Sequence, residues 1–83
     1  MPERSALLGN VAERLIAHRI RHGYDLDDAA TIARVDAERL AEAEAGELAL
    51  DERELAALAD GYGVEVTAFF GGLVTPFSYL AGA

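Results

Sequence analysis

Two histidines one helical turn apart are the residues of this chain whose spacing comes closest to that of a metal site. His18 and His22 are four positions apart, and on a helix this spacing places both imidazoles on one face, as in helical zinc sites. No third ligand follows nearby in the sequence, so we expect no bound metal. We expect instead that His18 is partly buried and that His22 lies at a helix C-terminus, where its protonated form interacts favourably with the helix dipole.

Side chains that could act as nucleophiles are few. The chain has no cysteine, and none of its serines lies in the glycine pattern of a nucleophile elbow. The glycines at 61, 63, 71 and 72 lack the preceding strand and the lysine of a phosphate-binding loop, so they are interpreted as helix breakers. These patterns predict that the protein is not an enzyme and binds no cofactor. The aliphatic hydroxyls are those of Ser5, Thr31, Thr67, Thr75 and Ser78.

Charge is distributed unevenly along the 83 residues. The formal net charge is −8; residues 1–23 sum to +2, whereas residues 24–60 carry twelve acidic residues against three arginines and sum to −9. Duplex DNA is a polyanion whose binding depends on counterion release by lysine and arginine, so the middle segment opposes DNA binding. The alternative interpretation is that the acidic residues only confer solubility.

Apolar residues recur at helical spacing along the chain, and no segment alternates over enough residues to predict a strand. The length suits one compact domain, so the predicted fold class is all-α with five helices. The absence of cysteine fits the cytoplasm, no apolar run approaches the roughly 18 residues of a membrane span, and the N-terminal residues lack the apolar stretch of a signal peptide. The predicted helices cover about 6–22 after Ser5, 26–33, 37–45, a span that follows Asp51, and 66–71.

Residues with capping chemistry bound these helices. Asp25, Asp36 and Asp51 are the predicted N-caps of the second, third and fourth helices, and Glu54, three positions after Asp51, completes the spacing of a capping box. Gly23 is placed to end the first helix. The second and third helices are short and meet at a tight turn, which is the outline of a helix-turn-helix unit.

Several segments around this turn carry a family resemblance: GYDLDDAA at 23–30, ARVD at 33–36, Leu40, EAG at 44–46, LAALA at 55–59 and GV at 63–64. They resemble the λ-repressor/Cro-like helix-turn-helix family, also called the xenobiotic-response-element (XRE) family, over about residues 8–72 without a gap in spacing. The resemblance implies a five-helix λ-repressor-like domain over residues 1–72 and a bacterial regulator of transcription. The turn, where the family commonly has glycine, carries Arg34, and the leucine usual in the second helix is Ala29; both imply looser packing.

The resemblance also assigns a structural ion pair. Family members commonly pair an arginine late in the first helix with a glutamate at the end of the third, and the matching residues are Arg19 and Glu44. An arginine–carboxylate fork between helices that are distant in sequence requires specific geometry, so we expect these two side chains to meet. The alternative is that both are solvated surface charges that contribute little to stability.

The positions that contact DNA in the family carry unusual residues in this chain. The resemblance assigns the start of the second helix and the exposed face of the third to phosphates and base edges, where amide, hydroxyl and basic side chains donate hydrogen bonds. Glu38 and Glu42 lie one turn apart and would direct two carboxylates at the phosphates. Direct reading of duplex DNA is therefore disfavoured, and the alternative for both glutamates is an ordinary solvated face. The positions concerned are Leu26, Ala37, Glu38, Arg39, Ala41 and Glu42.

The C-terminal stretch is uncharged and rich in aromatic residues. We interpret residues 73–83 as an apolar extension that forms either an intramolecular lid over the first and fifth helices or a homodimer interface, since exposed apolar patches of this length usually mark interfaces. The dimer is preferred. The fifth helix is expected to bring its two phenylalanines to the core. The segment assigned to the dimer or to a partner contains Phe69, Phe70, Leu73, Val74, Phe77, Tyr79 and Leu80.

Two hypotheses of function remain, and an enzyme is a remote third. The first is a regulatory protein that acts through protein contacts of its acidic face, within residues 36–54, with a partner that carries a basic surface. The second is a dimeric, sequence-specific DNA-binding repressor in which the basic first helix compensates the acidic middle segment. The first is favoured because the third helix, with Arg39 as its one basic residue, offers few contacts to phosphate. Salt-dependent duplex binding separates the two.

Overall fold

The computed structural model describes residues 2–71, and this part of the chain is helical with no strand. None of the helices in it is both long and apolar enough to cross a membrane. Four α-helices are followed by one 3₁₀ helix: α1 (Pro2–Arg21), α2 (Leu26–Ala33), α3 (Ala37–Glu44), α4 (Glu52–Tyr62) and the 3₁₀ helix (Val66–Phe70).

The prediction of five α-helices is wrong at the last element. The segment Val66–Phe70 is a 3₁₀ helix of five residues that ends at Gly71, a residue with a φ of 73°. Its N-cap residue, Glu65, makes no side-chain capping bond, and so short an uncapped segment adopts the tighter 3₁₀ pattern. The predicted start of the first helix after Ser5 is also wrong, because α1 already begins at Pro2. Proline is favoured in the first turn of a helix, where its missing N–H is not needed.

The three predicted N-caps are confirmed. The carboxylates of Asp25, Asp36 and Asp51 accept hydrogen bonds from backbone N–H groups two or three residues further on, at 2.8, 3.4 and 2.7 Å. At Asp25 and Asp51 the acidic residue three positions on also accepts from the cap's own N–H, which completes a capping box at α2 and α4. Gly23, with a φ of 72°, follows α1 as expected. These caps satisfy N–H groups that a helix end would otherwise leave without a partner.

The core lies where the four α-helices and the 3₁₀ helix meet. α2 packs on α3 and on α4, and α1 packs on α3 and on the 3₁₀ helix. The helix-turn-helix unit formed by α2 and α3 is therefore held from two sides. The large side chains that are fully buried in the core include those of Leu15, Leu40, Leu50, Leu55, Leu58 and Phe69, none of which is more than 1% exposed.

Gly61 lies inside α4 and is not the helix breaker that the sequence predicts. The helix continues to Tyr62 and ends at Gly63, whose φ is 69°. A Cβ atom on Gly61 would meet Cγ2 of Ile32 on α2. The absence of a side chain at this position thus lets α2 and α4 approach closely, and the glycine serves packing rather than chain reversal.

Candidate functional site

The turn between α2 and α3 contains one residue in the left-handed conformation. Arg34 has φ 54° and ψ 46°, a region that costs a residue with a Cβ atom roughly 1–2 kcal/mol. The guanidinium of Arg53 donates to the carbonyl oxygens of Ala33 and Arg34 at 3.4 and 3.3 Å. The end of α2 is thereby capped from α4, and the donors of Arg53 are directed at the backbone of the turn.

The third helix has one side in the core and one side towards solvent. Leu40 and Ala43 are buried, whereas Glu38 and Glu42 are exposed one turn apart, as the sequence predicts. Two carboxylates on the outer side of α3 give this surface a negative charge. The other positions that the resemblance assigns to DNA contact are half-buried, namely Leu26, Ala37, Arg39 and Ala41.

Arg39, the one basic residue of α3, is bound to α4 by two hydrogen bonds. Its Nε donates to Oε2 of Glu54 and its Nη2 donates to Oε1, both at 2.9 Å. The side chain of Glu54 is 6% exposed, whereas that of Arg39 is 41% exposed. This fork is the strong, directional form of an arginine–carboxylate contact. The guanidinium that the sequence offers to DNA is therefore already engaged within the domain.

Glu54 also completes the capping box of α4, because its carboxylate accepts from the N–H of Asp51 at 2.8 Å. The hydrogen bond from Arg39 lowers the pKa of Glu54, and the bond from the Asp51 backbone acts in the same direction against the effect of burial. The same hydrogen bond raises the pKa of Arg39. The sequence indicates the cap but not the ion pair, which depends on how α3 and α4 approach in three dimensions.

Arg19 and Glu44, which the resemblance pairs, meet between α1 and α3. Nε and Nη2 of Arg19 donate to the two oxygens of Glu44 at 2.9 and 3.0 Å. Nη1 of the same guanidinium donates to the carbonyl oxygen of Tyr24 at 3.0 Å. Both side chains are largely buried, at 18% and 7% exposed, and the hydrogen bond to Glu44 raises the pKa of Arg19. This pair joins α1, the loop that follows it, and α3, so it is structural and leaves Glu44 outside the exposed acidic surface.

The two histidines lie at the C-terminal end of α1 in an aromatic cluster. His18 is half-buried and His22 is exposed, which agrees with the placement expected of each. Nδ1 of His22 lies 2.9 Å from the carbonyl oxygen of His18, and the ring of His22 lies near Tyr24 and Tyr62, with centroid distances of 5.6 and 5.4 Å. In the described part of the chain, no three His, Asp or Glu side chains form a group that could hold a metal ion.

The phenylalanines of the 3₁₀ helix lie in the core, as the sequence predicts. Phe69 and Phe70 are 0% and 5% exposed, so neither ring presents a surface to a partner. The rest of the segment assigned to a dimer or partner lies outside the described residues, and so does the predicted boundary between residues 72 and 73. These residues are Leu73, Val74, Phe77, Tyr79 and Leu80.

Comparison with solved structures identifies a similar fold. The chain is similar to a crystal structure described as that of an HTH_3 family transcriptional regulator from Vibrio cholerae, with a TM-score of 0.75 and 26% sequence identity. The match covers 83% of this chain but only 39% of that protein, so this chain corresponds to a minor part of its length. No protein-family model matches the chain, and no curated protein matches it. The structural match confirms the resemblance to λ-repressor-like helix-turn-helix regulators.

Proposed function

We propose that this protein is a small transcription-associated regulatory protein that acts through protein contacts of its acidic face. The observation that carries the proposal is the fork between Arg39 and Glu54, with both hydrogen bonds at 2.9 Å. It occupies the one basic side chain on the outer part of α3. We define the acidic face as the exposed carboxylates of residues 36–54, which are those of Asp36, Glu38, Glu42, Glu47, Asp51 and Glu52.

The charges around the helix-turn-helix unit support contacts other than DNA. Non-specific binding to a duplex requires several lysine or arginine contacts to phosphate. Of the three arginines between residues 24 and 60, Arg39 is bound to Glu54 and Arg53 donates to backbone carbonyl oxygens of the turn. Arg34 and Arg53, which keeps its charge because its acceptors are neutral carbonyl oxygens, then remain to offset the acidic face. Two cations do not balance the repulsion between its six carboxylates and a phosphate backbone.

The chemistry of the acidic face indicates the kind of partner. A protein with a lysine- and arginine-rich surface would be attracted by these carboxylates over a distance set by the Debye length, about 10 Å at 0.1 M salt. Contacts of this kind mainly raise the association rate, and they weaken as salt screens the charges. The proposed partner is therefore a protein with a basic surface, and the proposed compartment is the cytoplasm.

A dimeric, sequence-specific DNA-binding repressor is the second candidate. Two observations favour it. The chain forms the turn that joins α2 and α3 into a helix-turn-helix unit, and the similar structure is described as that of a transcriptional regulator. Both candidate functions include homodimerisation through the apolar extension, residues 73–83, which is also a proposal. Light scattering at micromolar concentration tests it, and a mass near the 8.8 kDa of one chain would reject the dimer.

The experiment that separates the two candidates is a fluorescence anisotropy titration with duplex DNA from the region upstream of the protein's own gene, at about 100 mM salt. We expect no binding up to tens of micromolar. Tight, sequence-selective binding that is lost in the Arg39→Ala variant would contradict the proposed function and establish the repressor.

The protein contact needs its own test with a matched control. Affinity capture from the source cytoplasm should recover a basic protein, and the double variant Glu38→Gln/Glu42→Gln should lose it. The control is Glu13→Gln/Asp60→Asn, which makes the same change in net charge at exposed positions outside the acidic face. Equal loss in both double variants would show that net charge, and not this face, is responsible.

A further inference from the structure

His18 lies where α1, α4 and the 3₁₀ helix meet. Its ring stacks on that of Tyr62 in α4, with a centroid distance of 6.1 Å and an interplanar angle of 17°. It also meets the ring of Phe69 edge-on, with a centroid distance of 5.7 Å. Phe69 and Tyr62 are 0% and 3% exposed. The imidazole is thus part of the packing that holds the 3₁₀ helix against the domain.

Two polar atoms of this cluster, one on the imidazole and one on the phenol, lack a hydrogen-bond partner. Nδ1 of His18 and the hydroxyl oxygen of Tyr62 are buried, and neither makes a hydrogen bond. A neutral imidazole can leave one nitrogen unpaired at a moderate cost. A protonated ring, in contrast, has an N–H donor at each of its two nitrogens and a positive charge shared between them. Protonation of His18 would therefore place a donor and a share of charge at an atom with no acceptor.

The ionisable groups around the ring do not compensate that charge. Burial is the main cause that lowers the pKa of His18, and the positive charges of Arg21 at the end of α1 and of His22 just after it act in the same direction. The group that faces the ring from α4 is the phenol of Tyr62. Burial raises the pKa of this phenol to about 12. The 3₁₀ helix contributes Phe69 and no ionisable side chain, and Glu65 before it is exposed.

We propose that His18 makes the 3₁₀ helix a pH-sensitive element, which protonation of the imidazole releases from α1 and α4. The released state exposes the ring to water, which can accept from its N–H groups. Release would expose Phe69 and Phe70, but the contacts of α2 with α3 and α4, and of α1 with α3, do not include the 3₁₀ helix and can remain. Acid therefore opens one end of the domain while the helix-turn-helix unit stays folded.

The direction of the pH effect follows from linkage. The docked state holds the pKa of His18 below its ordinary value of 6.5, so at pH values just below 6.5 the released state binds more protons. The docked 3₁₀ helix is thus fully stable above pH 6.5 and loses stability as the pH falls towards the lowered pKa. Within that window the equilibrium for release increases by up to about tenfold per pH unit.

Amide hydrogen exchange of the full chain, corrected for intrinsic rates, measures this release. The reporter is the N–H of Ala68, which donates to the carbonyl oxygen of Glu65 at 2.9 Å; the references are the N–H groups of Ala29 and Leu40 in α2 and α3. We expect the protection of Ala68 to fall between pH 7.5 and 5 while that of both references persists. Equal loss at all three positions, or constant protection at Ala68, would overturn the proposal.

Two variants assign the effect to one histidine. His18→Leu keeps an apolar group in the cluster and removes the titration, so protection of Ala68 should become independent of pH. His22→Gln removes the exposed histidine one turn further on and should leave the pH dependence in place. A dependence that persists in His18→Leu would overturn the proposal, and if this variant fails to fold, an NMR titration of the wild-type protein decides. The ring signals of His18 must then titrate together with the loss of protection at Ala68.

Discussion

Glu54 holds Arg39 at a distance of 2.9 Å with the same carboxylate that caps the first turn of α4. One buried acidic group therefore connects the outer side of α3 to the start of α4. The connection links α3 to α4, and it pairs the one cation of α3, at the surface that the family resemblance assigns to DNA, with a carboxylate.

Glu54→Gln should reduce the free energy of unfolding by about 1–2 kcal/mol, which is typical for the loss of hydrogen bonds to a charged group. The amide oxygen can still accept from the N–H of Asp51, but it cannot form the charged fork with Arg39. The measurement is a urea titration monitored by circular dichroism. Glu52→Gln is the control, because it makes the same charge change at an exposed position of the same helical turn and should cost only a few tenths of a kcal/mol. Equal losses in the two variants would show that the fork contributes nothing beyond charge.

The free energy of unfolding of the domain should decrease at acid pH because Glu54 becomes protonated there. The fork holds the pKa of Glu54 below its ordinary value of 4.5, so below that pH the unfolded chain takes up this proton more readily than the folded one. The contribution of Glu54 is fully present above about pH 4.5 and is lost as the pH falls through the lowered pKa. Denaturation at a series of pH values from 7 to 3 should show a smaller acid-side decrease in Glu54→Gln than in the wild type. Parallel profiles would contradict the assignment.

Gly61→Ala should destabilise the domain although alanine is the better helix former by about 1 kcal/mol. The new methyl group would meet Cγ2 of Ile32, and a β-branched side chain in a helix has little rotational freedom to move away. We expect a net loss of about 1–2 kcal/mol, measured as a lower midpoint of thermal unfolding.

A second substitution tests the cause of that loss. In an Ile32→Ala background the obstructing methyl group is absent, so Gly61→Ala should instead stabilise the domain through its helix propensity. If Gly61→Ala is destabilising to the same extent in both backgrounds, the contact with Ile32 is not the reason.

Local chemistry explains which parts of this structure are predictable from the sequence. Asp25, Asp36 and Asp51 cap the helices as predicted, because a cap depends only on residues within one turn of it. The contact of Arg19 with Glu44 follows from the family resemblance. In contrast, the role of Gly61 depends on a methyl group that is distant in sequence.

The candidate site shows the same division between local and distant effects. The exposure of Glu38 and Glu42 follows from helical periodicity. The pairing of Arg39 with Glu54 does not, because the two residues lie 15 positions apart and on different helices. The 3₁₀ geometry of Val66–Phe70 was also not predictable from apolar spacing, which is nearly the same for one turn of either helix type.

Arg34→Gly should stabilise the protein by about 0.5–1 kcal/mol. Arg34 has φ 54° and ψ 46°, a conformation that costs a residue with a Cβ atom roughly 1–2 kcal/mol and costs glycine almost nothing. Part of that gain is offset because glycine loses more backbone entropy on folding. The carbonyl oxygen of residue 34, which accepts from Arg53, is unchanged by the substitution.

Arg34→Ala is the matched control, because it removes the same charge but keeps the Cβ atom. In urea titrations the glycine variant should have a higher unfolding midpoint than both the wild type and the alanine variant, with an unchanged slope. An alanine variant as stable as the glycine variant would show that the side chain of Arg34, and not its left-handed backbone, limits the stability of the turn.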